Sequence, residues 1–360
     1  MLKEIIAVAT LAVSLHASAF RLVDASTKAV MPLAAITDRS GNVVGMTDNN
    51  GEIPEISSDR YPITFSSMGY EQVVLVKPAT ADVGMQLRNY ELPEIVVTPG
   101  SRPLLHLTGY MRETSSVMGS SDSITMFRES IVDFLVPVEK AKVKGWDAAR
   151  ILASKTFVKI KNSAGLDSVS NRHEYEYMLW GDKLGLIHAK RDVPEAIKGK
   201  TFACDTIMGK YFPKIIWWKN GPLTRWYGDG LANEKNHTKS PAFLKFFGLT
   251  IDFKDLSTAY VFNTPEADAI SPADLKQASA SLNMLARGRL FKKAFDSSTP
   301  VNIKAYVEVY LTDREYLSNE EAKLLKKEPP VIRPAEIKAP ADATPIHPAI
   351  RQIKDRVNAL

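Results

Sequence analysis

The chain has a single cysteine in 360 residues, Cys204. One thiol makes no internal disulfide, so stability must come from apolar burial, which a chain of this size can supply. Lys200-Thr-Phe-Ala-Cys204-Asp carries no nucleophile signature and reads as the setting of a small buried residue. Beyond residue 19 no stretch is long and apolar enough to cross a bilayer as a helix. No block of one charge sign exists either. The 46 Lys and Arg are interspersed with 41 Asp and Glu, for a net charge of +5, and this pattern implies no nucleic-acid partner. His-Glu-x-x-His, Gly-x-Ser-x-Gly and phosphate-binding glycine loops are all missing, which removes the usual sequence grounds for zinc peptidases, α/β-hydrolases and nucleotide hydrolases. His173-Glu-Tyr-Glu176 has one zinc-like spacing. Its surroundings read as a strand, where residues three apart face opposite ways, and a catalytic zinc needs a third ligand. His106, His188, His237 and His347 stand alone. The acidic residues are scattered, so spacing nominates no glycosidase pair. No cofactor or metal is expected.

What is present is ordinary globular material, 45% apolar and 24% charged, with a length that suggests about two domains. Residues 1–19 read as a signal peptide. Lys3 precedes the apolar run Ile5 to Leu15, and Ala17-Ser18-Ala19 is a small-residue cleavage site. The run is shorter than the ~20 residues a membrane span needs.

From Phe20 to Thr98 strands alternate with turns. Asp24-Ala-Ser-Thr27 can close a turn through its short polar side chains. Val30, Pro32, Ala34 and Ile36 recur at period two. Asn50-Gly51 is a tight-turn signal. Ile63-Thr-Phe65, Gly69-Tyr70, Val73 to Val76, then Val83, Met85 and Leu87 complete the series. The ordered set, with Leu92-Pro-Glu94-Ile95-Val96-Val97, resembles the carboxypeptidase-regulatory-like domain, a transthyretin-like β-sandwich. That module often precedes the plug of TonB-dependent receptors and heads other envelope proteins. The resemblance implies a non-catalytic module. Phe20 and Leu33 stand where the family usually has glycine. Glu94 to Thr98 is similar to a segment that pairs with a partner strand in those receptors; it also reads as a last strand plus linker. Residues 99–328 are too few for the large barrel of such a receptor.

Residues 99–328 read as a β-rich domain of unknown function. Strands are expected at Thr108–Ser115, Ser123–Leu135, Lys155–Lys161, Tyr175–Trp180, Leu249–Phe253 and Thr258–Phe262. Thr108-Gly-Tyr-Met-Arg112-Glu113, with Phe127-Arg128-Glu129 and Val132-Asp133-Phe134, is similar to a pattern in uncharacterised envelope proteins that carry the same module. Asn302 to Leu311 alternates strictly, which predicts one face on a core and one in water. Ser271-Pro-Ala-Asp274 opens a helix or strand, and Ser318-Asn-Glu-Glu321 is a capping box. Residues 329–347 form a Pro-rich linker. Residues 348–360 form a short amphipathic helix, with Ile350, Ile353 and Val357 on one side.

One feature resembles a site. Trp217, Trp218, Trp226 and Tyr227 cluster on one hairpin with Tyr211 and Phe212, and three of the five tryptophans are here. Adjacent Trp217 and Trp218 point to opposite faces, so at least one ring is expected to remain partly in water, free to meet a sugar or peptide. Core packing is the plainer reading of the same rings.

The expected fold is mainly β: a transthyretin-like β-sandwich followed by a β-rich domain with few short helices. The expected protein is exported, to the periplasm or the outer-membrane side of the envelope, and is non-catalytic. It acts as a binding or scaffolding module, with an envelope protein, glycan or peptide as partner. Two alternatives remain open: an accessory binder of glycan or peptide for nutrient uptake, and a hydrolase with an unrecognised site. If the signal peptide is processed, N-terminal sequencing of protein recovered from the envelope will begin at Phe20; recovery with Met1 in place would refute it.

Overall fold

The computed structural model describes residues 20–88, 102–171, 173–183, 185, 191–264, 269–288, 291, 295 and 299–360. The expected signal peptide, residues 1–19, and the Glu94–Thr98 stretch lie outside the described residues.

The protein is mainly β. Short strands come first: β1 (Leu22–Asp24), β2 (Ala35–Thr37), β3 (Val43–Met46), β4 (Ile63–Ser66), β5 (Val73–Leu75) and β6 (Val83–Met85). β1 pairs in parallel with β6, and the other four form a sheet in the order β3-β2-β4-β5. Leu22, Met31, Ile36, Ile63, Phe65, Tyr70 and Met85 are buried together between them. The expected Asp24 turn forms, with Asp24 Oδ1 accepting from the Ser26 and Thr27 amides at 2.8 and 2.7 Å.

Longer strands follow: β7 (Leu104–Met118), β8 (Ser123–Pro137), β9 (Trp146–Lys161), β10 (Asp167–Ser170), the short β11 (Arg191–Asp192), β12 (Phe202–Met208), β13 (Pro213–Asn220), β14 (Leu223–Asp229), β15 (Leu249–Asn263), the short β16 (Ala269–Ile270), β17 (Leu275–Gly288) and β18 (Val301–Leu317). Ten of them make one antiparallel sheet in the order β10-β9-β8-β7-β18-β17-β15-β14-β13-β12. Neighbours in the chain are neighbours in the sheet, except that first and last strands, β7 and β18, pair along 15 positions. The meander is thus joined across its ends and interrupted between β10 and β12.

Both faces of this sheet are covered. One carries Leu107, Met111, Phe134, Trp217, Trp226, Tyr260 and Val309, against Val193 and Ile197 of the chain that bridges the interruption. The other meets the N-terminal strands, where Ile216, Trp218, Tyr227 and Ala259 join the module's own core. Helix α2 (Pro348–Asn358) lays Ile350, Ile353 and Val357 on Phe127 and Phe157 of the same face, the apolar side foreseen from its spacing. α1 (Asn319–Lys327) begins at the expected capping box: Glu321 N donates to Ser318 Oγ, and Ser318 N donates to the Glu321 carboxylate.

Three expectations change. The second face of β18 is not in water, since Tyr306, Glu308 and Tyr310 are buried beneath the module and the C-terminal stretch. Residues 329–347 are not a free spacer: the Tyr310 hydroxyl bonds Thr344 at 2.9 Å, and the Ala343 carbonyl accepts from Arg88 at 3.1 Å. Tyr175–Trp180 is not a strand, because His173–Met178 is a 3-10 turn. The Ser271 segment makes the expected capped start and continues as the strand β17. The 213–229 hairpin is as expected, but its two-residue loop is Gly221-Pro222, with Gly221 at φ +57°.

Gly51 has φ +74°, and a Cβ there would stand 2.8 Å from the Leu22 carbonyl oxygen. Only glycine fits such a backbone beside another chain segment. Gly51→Val is expected to lower the unfolding free energy by about 1–3 kcal/mol, measured by urea denaturation of the full chain; an unchanged midpoint would refute the constraint.

Candidate functional site

A cleft of about 430 Å³ lies where the module meets the sheet. One wall is β3 and the turn Thr47–Asn50, with Pro54 and Glu55; the other is formed by β15, β17, β18 and the start of β13. Its size is that of a small-ligand site.

The sheet wall is built by register. Asp255 pairs with Asn283, Asn283 with Lys304, and Lys304 with Ser116, so Asp255, Asn283 and Lys304 stand in one row on the module face. A β-bulge in β15 shapes that row. Phe253 opposes Met284 and Asp255 opposes Asn283, so Lys254 is the extra residue. A bulge leaves one residue unpaired and re-aims its neighbours, and both Lys254 and Asp255 reach the cleft.

Asp255 accepts hydrogen bonds from the hydroxyls of Ser257 and Ser281. Burial pushes its carboxyl above the ordinary value near 3.8, and the neighbouring Asp229 charge adds to the rise. Lys304 donates to the Val44 carbonyl of the opposite wall, and burial lowers its pKa. Lys254 Nζ donates to Thr238 Oγ1 at 3.3 Å.

The rim carries a linked pair. Asp229 Oδ2 bonds His237 Nε2 at 2.7 Å and accepts from Asn49 Nδ2 at 2.9 Å, while its Oδ1 accepts from the Leu231 amide at 2.7 Å. Asn49 also donates to the Pro213 carbonyl at 3.1 Å. One carboxylate therefore ties the module's turn to the sheet and orients the imidazole. His237 holds φ +49°, a left-handed conformation rare for a residue with a Cβ. The hydrogen bond to Asp229 raises its pKa above 6.5, against an opposing effect of burial. Its ring meets Phe212 edge-on, with centroids 4.9 Å apart. Among the described residues no hydroxyl or thiol bonds His237, and Asp229 and His237 form a dyad.

The aromatic hairpin is not the site. Trp217, Trp218, Trp226 and Tyr227 are all buried. The alternation was right: Trp217 and Trp226 enter one face, and Trp218 and Tyr227 the other. The expectation of an exposed ring fails because both faces are covered. Trp218 stacks on Tyr70 of the module, with centroids 6.1 Å apart and planes at 18°. Cys204 is exposed on β12 instead of buried. Glu176, once a zinc-spaced residue, accepts from Thr156 Oγ1 at 2.6 Å. Among the described residues no cluster of His, Cys, Asp and Glu is suited to a metal.

Sequence reading missed Asp229, His237, Lys254, Asp255 and Lys304. One signal was available. Apolar residues of β15 sit at 249, 251 and 253, and the next is at 256, three positions on. That slip of one position marks the bulge at Lys254, and it split β15 into two expected strands.

Both shifted groups link stability to pH. A folded-state pKa above the unfolded one contributes stability at low pH that is lost as pH rises through the folded pKa. For Asp255 the loss begins near 3.8 and for His237 near 6.5. Asp255→Asn removes the first component. Relative to wild type, its melting temperature is expected to improve as pH rises above 4, as followed by circular dichroism; a difference independent of pH would refute a raised pKa at Asp255. No protein-family model matches the chain, and no curated protein matches it.

Proposed function

We propose that the protein is an exported, non-catalytic binding protein of the cell envelope. Its N-terminal strands act as a carboxypeptidase-regulatory-like module, and the cleft between module and sheet receives a small zwitterionic ligand such as a short peptide. The observation that carries this reading is the mixed charge of one bounded cleft. Lys254, Lys304 and His237 supply positive groups, while Asp48 and Glu55 on the facing wall and Asp255 beside the lysines supply carboxyl groups. Asn49, Asn50 and Asn283 add amides that match a peptide backbone. A zwitterion presents both signs of charge at a fixed separation, and a cleft that carries both signs discriminates it from a neutral sugar.

Two further points support the reading. Asp255 already accepts from two serine hydroxyls, and His237 is held by Asp229; groups fixed in this way are preset to meet a ligand. The module resemblance gains support at Leu33, which stands where that family usually has glycine and adopts φ +59°. The position keeps the backbone shape that glycine serves.

Titration calorimetry of the full chain against a set of di- and tripeptides and neutral disaccharides tests the proposal. Peptide binding is expected, with Lys304→Met weakening it by about tenfold or more, equal to roughly 1.4 kcal/mol or more for a charged contact in a partly dry site. Binding of sugars with no peptide binding would refute the ligand class. Peptide binding unaffected by Lys304→Met would refute the cleft.

A further inference from the structure

Between β14 and β15 the chain makes a six-residue 3-10 turn, Ala242-Phe-Leu-Lys-Phe-Phe247, closed by the Gly248 amide donating to the Lys245 carbonyl at 3.0 Å. Five of its six residues are apolar. Phe246 is 92% exposed and Phe243 61%. Single exposed apolar side chains are common, but Phe243 and Phe246 stand three apart in a helix of three residues per turn and so leave two rings in water on one side of it. The turn is firmly mounted. It packs on β15, and Gly248 touches the end of β17 so closely that a Cβ on Gly288 would collide with its carbonyl.

The turn itself carries positive charge. Lys245 lies between the two phenylalanines in sequence and is exposed. Arg287 is exposed near the foot of the turn, since it pairs with Thr250 two residues past Gly248. Neither cation has an ion-pair partner among the described residues. Of the acids on the adjoining chain, Glu234 pairs with Lys239 at 3.3 Å, and Asp252 accepts from Ser240.

We propose that the Phe243–Phe246 turn is a membrane-contact tip that inserts its two rings into the interface of an anionic lipid bilayer, with Lys245 and Arg287 at the headgroups. Two rings exposed together on one short turn suit a continuous apolar medium. A protein partner would instead have to supply a fitted pocket for a ring that protrudes almost completely. Flanking cations add attraction to anionic headgroups, each worth more on charged than on neutral lipid. The step goes beyond the ligand cleft and does not depend on it.

Sedimentation of the full chain with phosphatidylethanolamine vesicles, with and without phosphatidylglycerol, tests the tip. Wild type is expected to pellet with the anionic vesicles and less with the neutral ones. Phe243→Ser with Phe246→Ser should reduce the partition coefficient by roughly tenfold or more. Both rings are exposed, so the melting temperature should be unchanged. Lys245→Glu should weaken binding to the anionic vesicles only. As a direct reading of depth, Phe246→Trp should add an emission that shifts to the blue on vesicles and is quenched by brominated acyl chains. A wild type that stays in the supernatant, a double variant that pellets like wild type, or an added indole that brominated lipid does not quench would each overturn the proposal. Retention on an envelope protein without vesicle binding would also overturn it, and would assign the rings to a protein groove.

Discussion

The stack of Tyr70 on Trp218, with Arg225 beside both rings, is the contact on which the arrangement of the molecule depends. The Arg225 guanidinium lies 4.9 Å from the Tyr70 centroid and 5.2 Å from that of Trp218. Tyr70 belongs to the N-terminal module, and Trp218 and Arg225 are paired residues of β13 and β14. The Tyr70 hydroxyl donates to Asp24 Oδ2 at 2.8 Å, and Asn220 of the hairpin reaches the same oxygen at 3.4 Å. A flat cation beside two aromatic rings is attracted by their negative π-surfaces. The contact thus serves two surfaces that would each be incomplete alone. It closes the module's core, and it covers the sheet's second face.

That coverage explains the sheet's composition. Its module face carries Lys304, Tyr306, Glu308 and Tyr310 on β18, and Arg112, Thr114 and Ser116 on β7, a pattern that reads as solvent-facing. Buried polar groups need partners, and the covering chain provides several. Ser116 Oγ accepts from the Val43 amide at 3.1 Å, Lys304 donates to the Val44 carbonyl, and Arg112 donates to the Thr344 carbonyl. The module and the 329–347 stretch are therefore joined to the sheet mainly through polar contacts along this face, with the Trp218 cluster as the apolar anchor. Where the two walls separate, the same polar row lines the cleft.

The strands were legible because their signals are local. Alternation at 302–311, the capping box at Ser318 and the Ile350-Ile353-Val357 spacing need only neighbouring residues, and each appears in the structure. The site was not legible, because its row of Asp255, Asn283 and Lys304 exists only through the register of three strands. The aromatic hairpin misled for a related reason. Alternation assigns Trp217 and Trp218 to opposite faces, but whether a face is wet depends on what lies on it, and the chain that covers Trp218 is almost 150 residues earlier. A local pattern fixes direction; burial is a property of the assembled sheet.

The position of Asn49 bears on how the cleft would respond to a ligand. It lies in the turn of the module's wall and donates both to Asp229 and to the Pro213 carbonyl. Asp229 in turn holds His237. Any ligand group that draws the imidazole toward the cleft must compete with Asp229, and so acts on the bond that ties the module's turn to the sheet. The reverse also holds, because coupling between two sites is reciprocal: a module held firmly at Asn49 fixes Asp229 and presets the imidazole. The cleft and the docking of the module are thus coupled through one carboxylate. The Tyr70–Trp218 stack, in one apolar cluster with Tyr227 and Ala259, is a second tie between module and sheet that does not depend on that carboxylate.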